Sequence, residues 1–222
     1  DAVEFKNLGF VIIDEQHKFG VMQRAKLKDK GLNPDVLVMT ATPIPRTLSL
    51  TYYGDLDVSI IDELPKNRIP IKTYLRKEEN KFKIWDFVKE KINEGRQAFI
   101  IYPIIDESEK LDLKSAEEHY KILKNDVFKE YSVGMVHGRK FWYEIEETMN
   151  DFKAQKIKVL VATTVIEVGL DIPNATIMII EDAQRYGLSQ LHQLRGRVGR
   201  GEEQSYCILI AKHLDEVSKR RL

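Results

Sequence analysis

Val11-Ile12-Ile13-Asp14-Glu15-Gln16-His17 is a short apolar run that breaks into two adjacent acids. A run of that length suits a strand buried on both faces of a parallel sheet. In open α/β sheets, ligands sit beyond the carboxyl ends of the strands, and Asp14 and Glu15 fall at such an end. There, one acid can hold a hydrated Mg²⁺ while the other orients or deprotonates an attacking water. A helix N-terminus also favours acids, so the pair takes its meaning from the rest of the chain.

The 222 residues suffice for one large domain or two small ones. A hydrophobic share of 43% and a charged share of 32% fit an ordinary globular protein. Lys+Arg and Asp+Glu both number 35, so any contact with nucleic acid must come from local basic patches, not from a bulk field. The single cysteine, Cys207, excludes a disulfide framework and reads as a buried strand thiol. No apolar stretch approaches the ~18 residues of a membrane span, and Asp-Ala-Val-Glu-Phe is not a signal peptide. A cytoplasmic location with no membrane partner is expected. The chain opens without Met and reads as a piece of something longer.

Seven apolar runs read as buried strands: 10–13, 36–39, 98–102, 133–136, 158–162, 175–180 and 205–210. Helical stripes lie between them: Phe82/Trp85/Val88/Ile92 ahead of a capping Gly95, then Ala116/Tyr120/Leu123, then Trp142/Ile145/Met149/Phe152. Strands and helices alternating at this spacing imply an α/β fold with parallel sheets flanked by helices. Residues 63–78, with Pro65 and Pro70 and little periodicity, read as a linker. Residues 1–62 then hold the later part of one lobe, and residues 79–222 a nearly complete second lobe.

Polar groups recur after the apolar runs: Asp14-Glu15-Gln16-His17, Thr40-Ala41-Thr42-Pro43, His137-Gly138, Thr163-Thr164 and Glu181-Asp182. Such repetition builds a ligand-binding edge. Near the end stands Gln190-Leu-His-Gln-Leu-Arg195-Gly-Arg197-Val-Gly-Arg200-Gly201, with three arginines in six residues spaced by glycines. Guanidinium groups match phosphate geometry and stabilise charge on a transferring phosphoryl group. Arginine-glycine segments that bind RNA are typically repetitive, whereas this copy is single and lies between apolar elements.

Asp14-Glu-Gln-His, Thr40-Ala-Thr-Pro, Ala162-Thr-Thr-Val-Ile-Glu-Val-Gly-Leu-Asp and Gln193-Leu-Arg-Gly-Arg-Val-Gly-Arg resemble motifs II, III, V and VI of superfamily 2 helicases, in their usual order. Phe19-Gly-Val-Met-Gln-Arg, Thr42-Pro-Ile-Pro-Arg-Thr-Leu, Tyr53-Gly-Asp-Leu-Asp-Val and Tyr186-Gly-Leu-Ser-Gln-Leu-His-Gln narrow the resemblance to the RecG-type branch. Transcription-repair coupling translocases share the Pro-Ile-Pro-Arg-Thr and arginine segments. The resemblance implies RecA-like lobes and an ATP-dependent double-stranded DNA translocase that remodels branched DNA, such as stalled forks and Holliday junctions, in recombination and repair. It implies ATP and Mg²⁺ as cofactors, branched DNA as partner, and a monomer.

By the same resemblance, Asp14 holds Mg²⁺ through water and Glu15 activates the hydrolytic water. Gln16, His17, Thr40 and Thr42 couple the nucleotide to DNA grip. Arg197 and Arg200 act as arginine fingers that Gln193 helps seat, while Gly169 and Asp171 contact nucleotide or steady the fingers. Thr163 and Thr164 either hold the DNA backbone or satisfy local backbone groups. His137 either contacts a phosphate or caps a turn, and Arg46 either contacts phosphate or lies on the surface. One departure stands out: where the family carries a polar stretch after His-Gly, this chain has Arg139-Lys-Phe-Trp-Tyr143. Trp142 fits the helical core stripe, whereas Phe141 and Tyr143 fall off it and are expected to be buried against a neighbouring element, with stacking on a DNA base as the alternative. The chain contains no Gly-x-x-x-x-Gly-Lys-Ser/Thr loop. That loop and the junction-splitting wedge domain are expected in the parent protein, and the isolated chain is expected not to turn over ATP.

Overall fold

A computed structural model describes residues 4–15, 30, 34–40, 57–63, 68–103, 109–163 and 172–212. Contacts divide the chain between Ile61 and Asp62 into two units. In the first, β1 (Phe10–Ile13) pairs in parallel with β2 (Asp35–Val38), Ile13 facing Val38. Val11 and Ile13 are buried, but Phe10 and Ile12 are 54% and 57% exposed. The expectation of burial on both faces therefore holds for one face only in this chain.

The second unit is a six-stranded sheet of order β3-β8-β7-β4-β6-β5, parallel at every described pairing. Its strands are β3 (Lys72–Lys77), β4 (Gln97–Ile101), β5 (Val133–Val136), β6 (Val159–Ala162), β7 (Ala175–Ile180) and β8 (Tyr206–Ala211). The helices are α1 (Lys81–Asn93), α2 (Glu109–Ile122), α3 (Trp142–Lys153) and α4 (Leu188–Arg195). Alternate residues of the central strands face opposite cores. Phe99 and Ile101 pack with Met149 and Phe152 of α3 and Leu191 and Leu194 of α4. Ala98 and Ile100 pack with Trp85, Val88 and Ile92 of α1 and Ala116 of α2. The result is a three-layer α/β domain.

Three expectations need correction. The stretch 63–78, read as a linker, contains β3, an edge strand paired with β8. On α1 the buried residue of the first turn is Ile84, while Phe82 is 83% exposed. On α3, Trp142 is 74% exposed although Met149 and Phe152 are buried, because the first turn starts past the end of β5. The expected cap at Gly95 is present. Gly95 adopts φ +90° and donates to the Ile92 carbonyl at 2.9 Å, while Arg96 N–H donates to the Lys91 carbonyl at 3.0 Å. These are the two bonds of a Schellman motif.

Gln97 is a buried amide that ties layers together. Its Nε2 donates to the carbonyls of Phe152 (2.6 Å) and Ile157 (2.7 Å), and its Oε1 accepts from Asn174 Nδ2 at 3.2 Å. Cys207 is a free, buried thiol pushed up to about 12 by burial. It is inert under ordinary conditions.

Candidate functional site

In the first unit the parallel register places Asp14 and Glu15, which follow β1, and Thr40, which follows β2, at the same carboxyl edge. Glu15 turns the chain with φ +49°, and its N–H donates to Asp14 Oδ1 at 2.8 Å. Non-glycine residues in this left-handed region are uncommon and cluster at functional sites. Asp14 is exposed at this edge. No group of three or more metal-type side chains occurs among the described residues. Gln16, His17, Thr42 and Arg46 lie outside the described residues, as do Thr164, Gly169 and Asp171.

In the second unit the polar groups divide between the two rims of the sheet. Tyr102, His137, Thr163, Glu181 and Lys212 stand past the carboxyl ends of β4, β5, β6, β7 and β8. The arginine segment lies at the opposite rim. α4 has only eight residues, and the turn after it meets the starts of β3 and β7. A Cβ on Gly199 would lie 2.7 Å from Ile71 Cγ1, and one on Gly201 would lie 2.9 Å from the Pro173 carbonyl oxygen. Arg68 Nε donates to the Gly199 carbonyl at 3.1 Å. Arg96, just before β4, pairs with Glu203 at 2.6 Å.

This turn sets out the two candidate fingers. Val198 is fully buried and anchors it. Arg197 beside it is partly buried, and Arg200 is exposed, with its Nε donating to the Gly196 carbonyl at 3.4 Å. Gln193 is partly buried on α4. Gly199 has φ +76°, so it needs both the missing side chain and the left-handed backbone. Gly199→Ala is expected to destabilise the unit by about 1–3 kcal/mol in urea unfolding; wild-type stability would show that Ile71 and the turn yield freely.

At the carboxyl rim, His137 holds its own turn. Its carbonyl accepts from Lys140 N–H at 3.1 Å and its Nδ1 from Arg139 N–H at 3.3 Å. Burial holds its pKa below the ordinary value of 6.5, against the opposing pull of Glu117. The unfolded chain therefore takes up this proton first as pH falls below 6.5, and stability is lost down to the depressed folded value. Urea unfolding at about pH 7.5 and about pH 5.5 should show a smaller loss for His137→Gln than for the wild type; equal losses would contradict the assignment. Thr163 is fully buried, and its hydroxyl has no hydrogen-bond partner among the described residues.

The sequence reading missed an ion-pair network around the turn between β7 and α4. Lys81 pairs with Glu181 at 3.1 Å, Arg185 with Asp112 at 3.0 Å, and Lys212 with Asp182 at 3.2 Å. Burial raises the Glu181 carboxyl above its ordinary range against the pull of Lys81. Only the recurrence of Glu181-Asp182 at a strand end signals the network in sequence.

Residues 80–202 match the helicase conserved C-terminal domain. Over its whole length the chain is 54% identical to the ATP-dependent DNA helicase RecG of Bacillus subtilis (strain 168), covering 33% of that protein. It is 50% identical to RecG of Thermotoga maritima, covering 28% of it. The chain thus spans a third or less of these relatives. A solved structure of RecG bound to a three-way DNA junction superposes with a TM-score of 0.76 at 45% identity, over 99% of this chain and 28% of that one. Dbp5 of S. cerevisiae, bound to RNA and ADP BeF3, matches with a TM-score of 0.66 at 18% identity over 96% of this chain and 55% of that one, which speaks for the RecA-like fold alone. No helix among the described residues is long and apolar enough to cross a membrane. With Asn80 to Glu202, more than half of its length, matched, this chain belongs to the helicase C-terminal domain family.

Proposed function

We propose that this chain is the motor portion, from the Asp-Glu box to the arginine turn, of an ATP-dependent helicase that remodels branched double-stranded DNA in recombination and repair. End-to-end similarity to RecG, seen in one relative on a three-way junction, carries the reading. A cytoplasmic monomer is the form it implies. Residues 1–62 and 79–222 serve as parts of two RecA-like lobes. The phosphate-binding loop and the wedge come from elsewhere in the parent protein.

When bound, ATP with Mg²⁺ supplies the phosphoryl group whose transfer to water drives the cycle. Asp14 would hold the hydrated ion, and Glu15 would orient and deprotonate the water. Arg197 and Arg200 would stabilise charge on the phosphoryl oxygens, with Gln193 seating them, and Gly169 and Asp171 would support that contact. Gln16, His17, Thr40 and Thr42 would couple hydrolysis to DNA grip, with Arg46, Thr164 and His137 as contacts to the DNA backbone. Thr163, whose side chain is buried, would support that grip from the end of β6.

The test compares two proteins. The 222-residue chain alone should release no phosphate from ATP with DNA present. A parent protein carrying the phosphate loop should hydrolyse ATP and unwind a three-way junction, with Glu15→Gln abolishing both while retaining ATP. Turnover by the isolated chain, or normal turnover by Glu15→Gln, would overturn the assignment.

A further inference from the structure

Phe141, Trp142 and Tyr143 are 67%, 74% and 55% exposed, and they are consecutive. Phe141 and Tyr143 stack at 5.6 Å with planes 7° apart, and Trp142 meets Tyr143 edge-on at 6.4 Å. A contiguous exposed aromatic patch marks an interaction surface. This one opens α3, where Phe141 N–H donates to Glu144 Oε2 at 3.0 Å and Thr148 Oγ1 donates to the Glu144 carbonyl at 2.8 Å. The patch is also separate from the core. The inward stripe of α3 is carried by Ile145, Met149 and Phe152, so the triad overhangs the carboxyl rim of the sheet beside His137.

The local charge decides the occupant. Arg139 and Lys140 precede the triad, Glu146 and Glu147 follow it on the exposed face of α3, and Glu144 is engaged in the cap. Positive charge thus lies on the side of the triad nearer the sheet rim, and negative charge one turn further along the helix. A polyanion read by phosphates alone finds little net attraction here. A strand whose bases meet the rings and whose backbone turns toward Arg139 and Lys140 finds both. Every base has a π-face, so such a platform is indifferent to sequence. A duplex keeps its bases stacked on one another and offers the rings much less.

We propose that Phe141, Trp142 and Tyr143 form a stacking platform for unpaired bases of single-stranded nucleic acid, with Arg139 and Lys140 receiving the adjoining phosphates. The proposal rests on the reading of this chain as a DNA motor and adds to it a contact for a displaced strand.

The chain has two tryptophans, and Trp85 is buried, so Trp85→Phe leaves Trp142 as the sole reporter. A fluorescein-labelled oligothymidylate of about 12 nucleotides should quench Trp142 emission saturably in the full chain. By anisotropy, with no tryptophan change needed, the variant Phe141→Ala/Trp142→Ala/Tyr143→Ala should bind that oligomer about tenfold more weakly. The slope of affinity against salt should stay the same, since no phosphate contact is lost. A duplex of the same length should lose less affinity. Unchanged affinity of the triple variant for the single strand overturns the platform while leaving DNA binding intact. Failure of the wild-type chain to bind either oligomer overturns the platform together with the reading beneath it. Self-association of the wild-type chain that the triple variant abolishes assigns the triad to a second copy and also overturns it.

Discussion

Arg200→Ala, in a parent protein that joins this chain to a phosphate-loop lobe, is expected to lower DNA-stimulated ATP hydrolysis about 10³-fold or more, the range that arginine fingers supply. DNA affinity should change little. The separation of the rims is what makes this expectation sharp. Arg197 and Arg200 sit where the chain meets the starts of β3 and β7, whereas His137, Thr163 and the exposed aromatics lie past the carboxyl ends of β5 and β6. A residue at one rim does not double as a grip at the other. The check is a pair of measurements on one preparation, phosphate release with saturating DNA and junction affinity without nucleotide. Parallel loss of both would move Arg200 into the DNA interface. Arg200→Lys should rescue poorly, because an ammonium lacks the planar fork.

Gln97→Leu is expected to cost about 2–5 kcal/mol in urea unfolding, although Leu matches its bulk. The Gln97 amide donates to two carbonyls, of Phe152 and Ile157, at 2.6 Å and 2.7 Å, in a fully buried position. Removing the donor leaves both oxygens desolvated, and an unmade buried bond costs more than a made one contributes. The two carbonyls lie on either side of the turn that brings the chain from α3 into β6, so the loss should also loosen Phe152 against Phe99, now at a ring separation of 4.9 Å. Wild-type stability for Gln97→Leu would mean that water replaces the amide.

How far the fold could be read in advance follows from burial. β4 to β8 announce themselves because they are covered on both faces, leaving almost unbroken apolar runs. β3 does not. It is the edge strand, with Lys72, Arg76 and Lys77 along it and only Leu75 turned partly inward, and charges along an edge guard against wrong pairing. That is why Lys72–Lys77 looked like linker. Phe82 and Trp142 misled for different reasons: Phe82 lies to the side of the stripe that Ile84, Trp85, Val88 and Ile92 bury, whereas Trp142 opens α3 past the end of β5 and meets solvent although Met149 and Phe152 behind it are buried. The place of Asp14 and Glu15 just past β1 was legible because the apolar run ends there. The rim occupied by the arginines was not, because nothing in the order of residues says that an eight-residue α4 carries the chain back to the far end of the sheet. Gln97 was invisible for a related reason, since its three partners come from the α3–β6 turn and the start of β7, far away in sequence.

The central claim is that acids of the first unit and guanidiniums of the second meet at one triphosphate. It is tested most directly by an experimental structure of the parent protein with Mg²⁺, a non-hydrolysable ATP analogue and junction DNA. The expected result places Arg200 and Arg197 within hydrogen-bond reach of the γ-phosphate and Asp14 and Glu15 on its opposite side. Arginines turned to the DNA, with the γ-phosphate met by the first unit alone, would contradict it.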